Sequence, residues 1–302
     1  MKRIAISVGD LNGIGIELAL RYHESIKSLV NPLYCIDRGM LEQASEILSI
    51  DIPDDFETLS PDADFFTIAP STVSALSGAY SYASFVKAVE LAQSQSVDAL
   101  VTLPIHKKAW ELAGVSYKGH TDALRDFCDA NAIMMLGCEE MFVALYTEHI
   151  PLKKVAESIN EKDLTRFLID FYNAVKPNEP VAILGLNPHA GDDGVLGDEE
   201  QIIAQAIAQA HQTIGKSIFT EPLVPDIAFT PHVRANYTYY IAMYHDQGLA
   251  PLKALYFDEG INISLNLPIL RTSVDHGTAF DIAYKGVAIS GLSYINAVKY
   301  CM

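Results

Sequence analysis

Residues 3–20 read RIAISVGDLNGIGIELAL, and this stretch indicates the fold class. The run from Ile4 to Val8 is mostly apolar and β-branched, which is typical of a strand buried on both faces. A glycine-rich turn and a helix-forming run follow it. Gly13 and Gly15 favour a tight turn, but the dinucleotide-binding fingerprint requires a third glycine where Leu18 stands. The stretch therefore predicts a strand–turn–helix unit that does not bind a nucleotide in the usual Rossmann manner.

The alternation of strand and helix continues along the chain. Short apolar runs predict strands, and apolar residues at helical spacing predict the helices between them. This order predicts an α/β fold with a mostly parallel sheet. Residues 50–75 are rich in Asp and Pro and predict irregular structure. The further predicted strands are 32–37, 98–104, 141–146 and 181–186, and the predicted helices are 79–95, 162–175 and 199–214.

The composition excludes several classes of function. The chain has 302 residues and a net charge of −17, so sequence-independent binding of nucleic acid is not expected, because phosphate contacts need clustered cations. No stretch approaches the roughly 20 apolar residues of a membrane span. The four cysteines form no CxxC pair, which is typical of a reduced chain with unpaired thiols. The sequence predicts a soluble cytoplasmic protein without nucleic-acid or membrane partners.

Histidines follow the ends of four predicted strands. In open α/β sheets, ligands bind beyond the carboxyl ends of the strands. His149, His189 and His245 lie far apart in sequence, so separate loops would have to bring them to one ion. Three neutral imidazoles suit Zn²⁺ or another borderline divalent cation, and Asp246 could orient one of them. A histidine beside a strand is more often a structural donor, so both interpretations stay open at this point.

Two polar segments are candidates for binding an anion. Gly119-His120-Thr121-Asp122 could place a phosphate at the start of a helix, or Thr121 could simply cap that helix. The run Arg271 to Thr278 is largely polar between apolar segments and is interpreted as a loop. It could be plain surface, but the chain has only 21 Lys and Arg residues. Lys253 and Arg271 beside hydroxyl groups therefore indicate an anion site.

Six motifs together resemble the 4-hydroxythreonine-4-phosphate dehydrogenase family of vitamin B6 synthesis. The resemblance extends over nearly the whole chain, and the last three motifs are long and specific. The chain departs from the family pattern in its first loop, where Leu11 and Asn12 stand in place of the usual Pro and Ala. The motifs are GDLNGIG (9–15), GHTD (119–122), EHIPL (148–152), GLNPHAGDDGVLGDEE (185–200), YHDQGLAPLK (244–253) and INISLNLPILRTSVDHGTAFDIA (261–283).

The resemblance implies an architecture and a set of bound groups. The expected fold has two α/β/α domains with a central cleft, as in isocitrate and isopropylmalate dehydrogenases. Residues 1–125 with 270–302 would form one domain and residues 126–269 the other, with the active site in the cleft. The family further implies a homodimer whose active site lies at the subunit interface. It implies NAD, with NADP as the alternative nicotinamide cofactor, a divalent ion (zinc, magnesium or cobalt) and a small phosphorylated substrate.

The resemblance also assigns roles to residues of this chain. Asp226 and Asp246 correspond to acidic positions near the metal and are the candidate catalytic residues. The expected metal ligands are His149, His189 and His245. The expected substrate contacts are His120, Thr121, Lys253, Asn262 and Arg271. The expected cofactor-facing residues are Asn187, Gly191, Asn266, Asp275 and Asp281.

The implied reaction is oxidation of the C3 hydroxyl of 4-phosphooxy-L-threonine. The product, 2-amino-3-oxo-4-phosphooxybutanoate, is a β-keto acid and would decarboxylate to 3-amino-2-oxopropyl phosphate. Relatives that oxidise D-threonate or D-erythronate 4-phosphate would share the metal and phosphate sites, so this alternative stays open. A zinc-dependent hydrolase that uses the histidines to activate water is an alternative of another class, and a phosphate acyltransferase is a third.

Overall fold

The computed structural model describes residues 1–302 and confirms the α/β class. The chain divides into two compact units. Unit 1 comprises Met1–Ala130, Ile261–Ile263 and Leu267–Met302, and unit 2 comprises Asn131–Gly260 and Ser264–Asn266. No helix is both long enough and apolar enough to span a membrane. The four cysteines are free, as the absence of paired spacing predicted.

Unit 1 is built on a parallel sheet with strands in the order β2-β1-β3-β9. Apart from the exposed first residue of β1 and of β2, every residue of these strands is buried. This pattern suits a parallel sheet covered on both faces. A buried apolar cluster joins Leu100 of the sheet to Phe85 and Trp110 on the covering helices. The strands are β1 Arg3–Ser7, β2 Asn31–Cys35, β3 Ala99–Thr102 and β9 Arg271–Val274.

The strands of unit 2 lie in the order β4-β5-β7-β6. β4 and β5 are antiparallel, whereas β5, β7 and β6 run parallel to one another. A buried cluster of apolar side chains packs one helix against this sheet through Leu249 and Leu252. The strands are β4 Ile133–Cys138, β5 Met141–Leu145, β6 Ala182–Ile183 and β7 Tyr239–Ala242, and β8, Ile261–Leu265, is divided between the two units.

Helices flank these strands, and a capping side chain explains where one of them, α8, begins. Asn160 caps α8 by accepting a hydrogen bond from the Asp163 N–H at 2.9 Å. In unit 1 the helices are α1 Gly15–Arg21, α2 His23–Lys27, α3 Arg38–Leu48, α4 Ala75–Gln93, α5 Lys107–Leu112, α6 His120–Cys128 and α13 Leu292–Tyr300. In unit 2 they are α7 Val155–Ser158, α8 Glu161–Val175, α9 Glu199–Ile214, α10 Pro225–Ala228, α11 Pro231–Arg234 and α12 His245–Tyr256.

Helix α4 begins earlier than the sequence predicted. The predicted helix started at Ala79 after Gly78, but the helix begins at Ala75, where the Ser74 side chain accepts a hydrogen bond from the Ser77 N–H at 3.1 Å. Gly78 lies inside the helix because α4 and α5 pack very closely there. A Cβ at this position would lie 2.0 Å from the carbonyl oxygen of Ala109. The glycine therefore serves helix packing and does not mark a helix boundary.

The polar run that begins at Arg271 is not a surface loop in its first half. Arg271–Val274 is strand β9, which pairs with β3 and is buried along its length. The prediction was wrong because the side chains of Arg271 and Thr272 have buried hydrogen-bond partners inside unit 1. The Thr272 hydroxyl, for example, donates to the Ala297 carbonyl oxygen at 2.8 Å. A strand can bury such residues when their polar groups are paired.

Candidate active-site residues

Two of the predicted metal ligands lie side by side in unit 2. His149 follows β5 and His245 is the first residue of α12, directly after β7. β5 and β7 are adjacent parallel strands, so residues that follow them emerge at the same edge of the sheet. The two imidazole rings have centroids 5.4 Å apart. Asp246 Oδ1 lies 3.0 Å from His245 Nδ1, which leaves Nε2 of that ring as the atom available to a metal.

The third predicted ligand, His189, does not join this pair. In unit 2 the three imidazoles do not all come within 4.8 Å of one another. His189 is exposed in a 3₁₀ segment, Pro188–Gly194. Its backbone is left-handed, with φ 54° and ψ 25°, and so are the next four residues. A run of left-handed residues is rare in L-amino-acid chains, so this segment is strained.

A different group of three potential ligand atoms does meet the same distance limit. His23, Glu24 and Asp55 in unit 1 lie within 4.8 Å of one another. Both nitrogens of the buried His23 ring already have partners, because Nδ1 lies 3.0 Å from the Tyr34 hydroxyl and Nε2 lies 3.2 Å from Asp55. Lys27 also forms an ion pair with Asp55. Because His23 and Asp55 are engaged by these partners, and Glu24 and Asp55 are exposed, we do not interpret the group as a metal site.

Asp226, the other candidate catalytic residue, is exposed in the first turn of α10. Asp246 is also exposed, and its carboxylate contacts His245. Neither carboxylate is held in a low-polarity environment. Asp246 is therefore suited to orienting its neighbouring imidazole, while the structure gives Asp226 no partner.

Arg271 carries its charge into the interior of unit 1. Its side chain is only 2% exposed. The Nε and Nη2 atoms donate to the hydroxyl oxygen of Thr102 at 3.2 and 2.7 Å. Burial lowers the pKa of Arg271 to about 9, so the guanidinium remains charged at neutral pH. Because a buried charge is costly, an anion that approached this group would be strongly favoured.

Two further predicted substrate residues in unit 1 have unsatisfied polar atoms. Nε2 of His120 and Oδ1 of Asn262 are buried and have no hydrogen-bond partner. Burial, and to a smaller extent the charge of Arg271, hold the pKa of His120 well below its usual range, so the ring is neutral at pH 7. The His120 ring packs against Phe85 and Trp110, with centroids 4.8 and 5.5 Å away. Buried polar atoms without partners are uncommon, and a ligand is one explanation for them.

Thr121 does not cap helix α6, contrary to one of the two predictions for this segment. The helix begins at His120, the N-cap is Gly119, and no side chain bonds to the free N–H groups of the first turn. The Asp122 carboxylate instead accepts the Lys118 N–H at 3.0 Å. Lys107 lies nearby, since its Cε is 3.8 Å from where a Cβ on Gly119 would stand. Thr121 is partly buried in the first turn of the helix.

Lys253, the remaining predicted substrate contact, lies in unit 2. It is partly buried in the third turn of α12, the helix that begins with His245. Its ammonium group stands 5.7 Å from the ring centroid of Phe257. An aromatic face attracts a cation without neutralising its charge.

The predicted cofactor-facing residues of unit 2 are held by their own loop. Glu200 is buried on α9 and accepts the N–H groups of Leu186 and Asn187 at 2.8 and 2.6 Å. The Asn187 side chain donates to Glu200 at 2.9 Å. Gly191 has φ 81°, and a Cβ there would lie 2.7 Å from a Glu200 oxygen. These contacts show how the loop is shaped and leave a cofactor role untested.

The other predicted cofactor residues are distributed over both units. In unit 2, the Asn266 side chain donates to the Asn131 carbonyl oxygen at 3.0 Å. In unit 1, the Asp275 N–H donates to the Ser293 hydroxyl at 3.1 Å, and the Asp281 carbonyl oxygen accepts from Lys285 at 2.6 Å.

Three residues with clear structural roles in these segments were not identified from the sequence. Thr102 binds Arg271, and Glu200 organises the loop that contains His189. Asp10 is fully buried after β1 and accepts hydrogen bonds from the Asn12 N–H and the Ser77 hydroxyl. Asp10 could have been noticed in the sequence, because a charged residue stands shortly after a buried strand. No such pattern marks Thr102 or Glu200, because Arg271 is distant in sequence from Thr102 and the partners of Glu200 lie across a turn.

Comparison with known proteins identifies the family of the chain. A family model described as "Pyridoxal phosphate biosynthetic protein PdxA" matches residues 28–301. A Sulfurimonas denitrificans protein named 4-hydroxythreonine-4-phosphate dehydrogenase is 62% identical over 297 residues, covering 98% of this chain and 96% of that protein. The chain belongs to the PdxA family. A PdxA relative of the same name from Campylobacter fetus is 52% identical over 303 residues, covering 100% of this chain and 98% of that protein.

A solved structure agrees with this PdxA assignment. The crystal structure of a 4-hydroxythreonine-4-phosphate dehydrogenase from Burkholderia phymatum superimposes with a TM-score of 0.83 at 31% identity. The match covers 99% of this chain and 97% of that one. Membership of the PdxA family confirms that the chain is an enzyme, an oxidoreductase, and confirms the family resemblance identified from the motifs.

Proposed function

We propose that the chain oxidises 4-phosphooxy-L-threonine to 2-amino-3-oxo-4-phosphooxybutanoate with NAD as the hydride acceptor and a divalent metal ion. The β-keto acid then loses CO₂ and gives 3-amino-2-oxopropyl phosphate, a step of vitamin B6 synthesis. The observation that carries the proposal is the buried charge of Arg271, which acts on the nearby His120, together with the unpaired polar atoms of His120 and Asn262 in the same unit. A phosphorylated substrate would supply the negative charge and the hydrogen-bonding groups that these residues need.

The donor set of unit 2 fits a divalent ion. Two imidazole rings at the same sheet edge, one with a carboxylate on its Nδ1, form a common arrangement of metal-binding histidines. We propose His149, His189 and His245 as the ligands, with His189 as the one that must be brought to the other two. The ion would be zinc, magnesium or cobalt. Asp226 and Asp246 are the proposed acidic residues near it, and Asp246 holds the orientation of His245.

The remaining roles follow from the chemistry of the substrate. When bound, the cation stabilises negative charge on the substrate oxygen and the nicotinamide accepts a hydride. The C3–H bond breaks, its electron pair leaves as hydride, and the hydroxyl proton passes to a base, so that a ketone forms. His120, Thr121, Lys253, Asn262 and Arg271 bind the phosphorylated substrate and orient it. Asn187, Gly191, Asn266, Asp275 and Asp281 are the proposed cofactor contacts.

We also propose that the enzyme is a cytoplasmic homodimer whose active site includes residues of both subunits, with the two domains predicted from the sequence. The four free cysteines support a reducing compartment. Solution scattering tests the dimer. If the protein is a monomer in solution and still oxidises its substrate at full rate, the dimer part of the proposal is wrong.

The test is a substrate comparison with the purified protein. We expect NADH formation, followed by its absorbance, from 4-phosphooxy-L-threonine with NAD and a divalent ion. A chelator should abolish it, and NADP in place of NAD establishes the cofactor preference. Faster oxidation of D-threonate or D-erythronate 4-phosphate would replace the proposed substrate. Release of inorganic phosphate without NAD would indicate the hydrolase instead.

A further inference from the structure

Thr102 makes the closest described contact with the buried charge of unit 1. Its hydroxyl oxygen accepts two hydrogen bonds from Arg271, one from Nε at 3.2 Å and one from Nη2 at 2.7 Å. Both residues are buried, Thr102 completely and Arg271 with 2% exposure. Two bonds from one planar guanidinium to one oxygen restrict both the position and the tilt of the plane.

The strand register explains why Arg271 reaches Thr102. β3 and β9 are parallel, with Leu100 opposite Arg271 and Thr102 opposite Ser273. Side chains two residues apart in a strand share a face of the sheet, so those of Leu100 and Thr102 do. The arginine side chain therefore extends forward from the first residue of β9 to the last residue of β3. This path brings the guanidinium to the carboxyl edge of the sheet, the edge at which ligands bind in α/β folds.

The chemistry of the acceptor distinguishes this contact from an ion pair. A carboxylate at position 102 would hold the guanidinium equally well but would neutralise it. A hydroxyl fixes the geometry and leaves the positive charge uncompensated by its own side chain. The Thr102 hydroxyl accepts from two of the five N–H donors of Arg271.

We propose that Thr102 is a positioning residue that aims the Arg271 guanidinium at the phosphate of the substrate. The proposal rests on the proposed function, because it assigns Arg271 to the phosphorylated substrate. It adds a residue to which the family resemblance gave no role. Thr102 does not itself touch the substrate in this proposal.

The test compares substitutions of two buried threonines. Thr102→Val removes the hydroxyl and keeps the shape, Thr102→Ser keeps the hydroxyl, and Thr272→Val is the matched control. Thr272 is buried next to Arg271, and its hydroxyl bonds to the Ala297 carbonyl oxygen. Each protein is titrated calorimetrically with inorganic phosphate alone, and KM and kcat are measured with 4-phosphooxy-L-threonine. Thermal melting reports the structural cost of each substitution.

We expect Thr102→Val to weaken phosphate binding and raise KM on the order of tenfold, as loss of a hydrogen bond to a charged group predicts. The change in kcat should be smaller. Thr102→Ser should restore both values to within about twofold, because the hydroxyl alone makes the contact. Thr272→Val should lower the melting temperature without changing phosphate affinity.

Several results would overturn the inference. They are unchanged phosphate affinity in Thr102→Val, equal impairment in Thr102→Ser, and failure of the unaltered protein to bind phosphate. If Thr102→Val does not fold, Thr102→Ala provides the same comparison. The calorimetric titration uses neither NAD nor substrate. A protein that binds phosphate through Thr102 and Arg271 but oxidises none of the substrates would therefore refute the proposed function and leave this inference intact.

Discussion

His149 and His245 lie outside the core and form a candidate site because of where they stand in the sheet. Neither ring is buried, so core packing does not fix the position of either one. Each follows the carboxyl end of one of two paired strands, and Asp246 occupies one nitrogen of His245. Imidazole nitrogens are common ligands of divalent ions, so two rings at this spacing are the residue-scale basis of the metal proposal.

Substitution of either histidine should weaken metal binding without unfolding the chain. We expect His149→Ala and His245→Ala each to reduce Zn²⁺ affinity at least tenfold, because loss of a ligand costs more than loss of its orienting partner. Asp246→Asn should have a smaller effect. Calorimetric titration with Zn²⁺ alone measures this, and melting curves should be little changed.

His232→Ala is the control for this experiment. His232 is exposed on α11 in the same unit and has no side-chain partner in the structure. Equal Zn²⁺ affinity in all four variants and the unaltered protein would mean that the ion binds elsewhere or not at all. A loss confined to His232→Ala would contradict the assignment directly.

At the scale of elements, the packing of α12 on β5 determines where His245 lies. Gly248 is one turn into the helix, where a Cβ would come within 2.3 Å of Val143 Cγ1 and 2.9 Å of Ala242 Cβ. Only a glycine allows the helix to approach the sheet this closely without displacing a neighbour. The close approach keeps the start of α12, and with it His245, next to the end of β5.

Gly248→Ala should therefore destabilise the protein and weaken Zn²⁺ binding together. Overpacking of this kind typically costs about 1–3 kcal/mol in the free energy of unfolding, measured by denaturant titration. The double variant Gly248→Ala with Val143→Ala should recover part of the loss caused by the glycine substitution, because the shortest clash is with a Val143 methyl group.

Gly277→Ala is the control, since nothing lies within 4 Å of a Cβ at that position. We expect its free energy of unfolding to stay within about 0.5 kcal/mol of the unaltered protein. A Gly248→Ala variant as stable as this control would show that α12 can shift without cost.

The whole molecule responds to acid through its buried histidines. Burial lowers the pKa of His23, His120, His211 and His276 below the ordinary value of 6.5. The unfolded chain therefore binds more protons than the folded chain once the pH falls below about 6.5. The contribution of these four histidines to the stability of the folded state is complete above that pH and decreases as the pH falls toward their lowered pKa values.

We expect the melting temperature to fall when the pH is lowered from neutrality through about 6.5 and below. His120→Asn should reduce this slope, because the folded-state pKa of His120 is held well below 6.5. His232→Asn, a substitution of an exposed ring, should leave the slope unchanged. Parallel slopes for His120→Asn and the unaltered protein would contradict the low pKa of His120.

Elements with strong local signals could be located from the sequence. Helix α9 was predicted at 199–214 and is found at Glu199–Ile214, where acidic residues begin it and Gly215, with φ 75°, ends it. Strand β6 is shorter than its predicted run because only Ala182 and Ile183 pair with β7. Strand β9 was missed because its polar side chains resemble those of a loop.

Part of the candidate site could also be predicted from the sequence, and part could not. The sequence indicated that histidines end several strands, and parallel pairing of β5 and β7 was enough to bring His149 and His245 together. The left-handed backbone at His189 had no sequence signal, because four of the five residues in that run are not glycine. The site roles carried over from the family stay predictions until the experiments above are done.

The sequence by itself determined the α/β class, several of the helices and strands, and the family, because apolar periodicity, turn residues and motifs act over short stretches of chain. Only the tertiary structure decided that Arg271 lies in a buried strand and bonds to Thr102, 169 residues earlier. Strand register and the pairing of buried polar groups arise from contacts between distant segments. No local pattern in the chain encodes which hydroxyl meets which guanidinium.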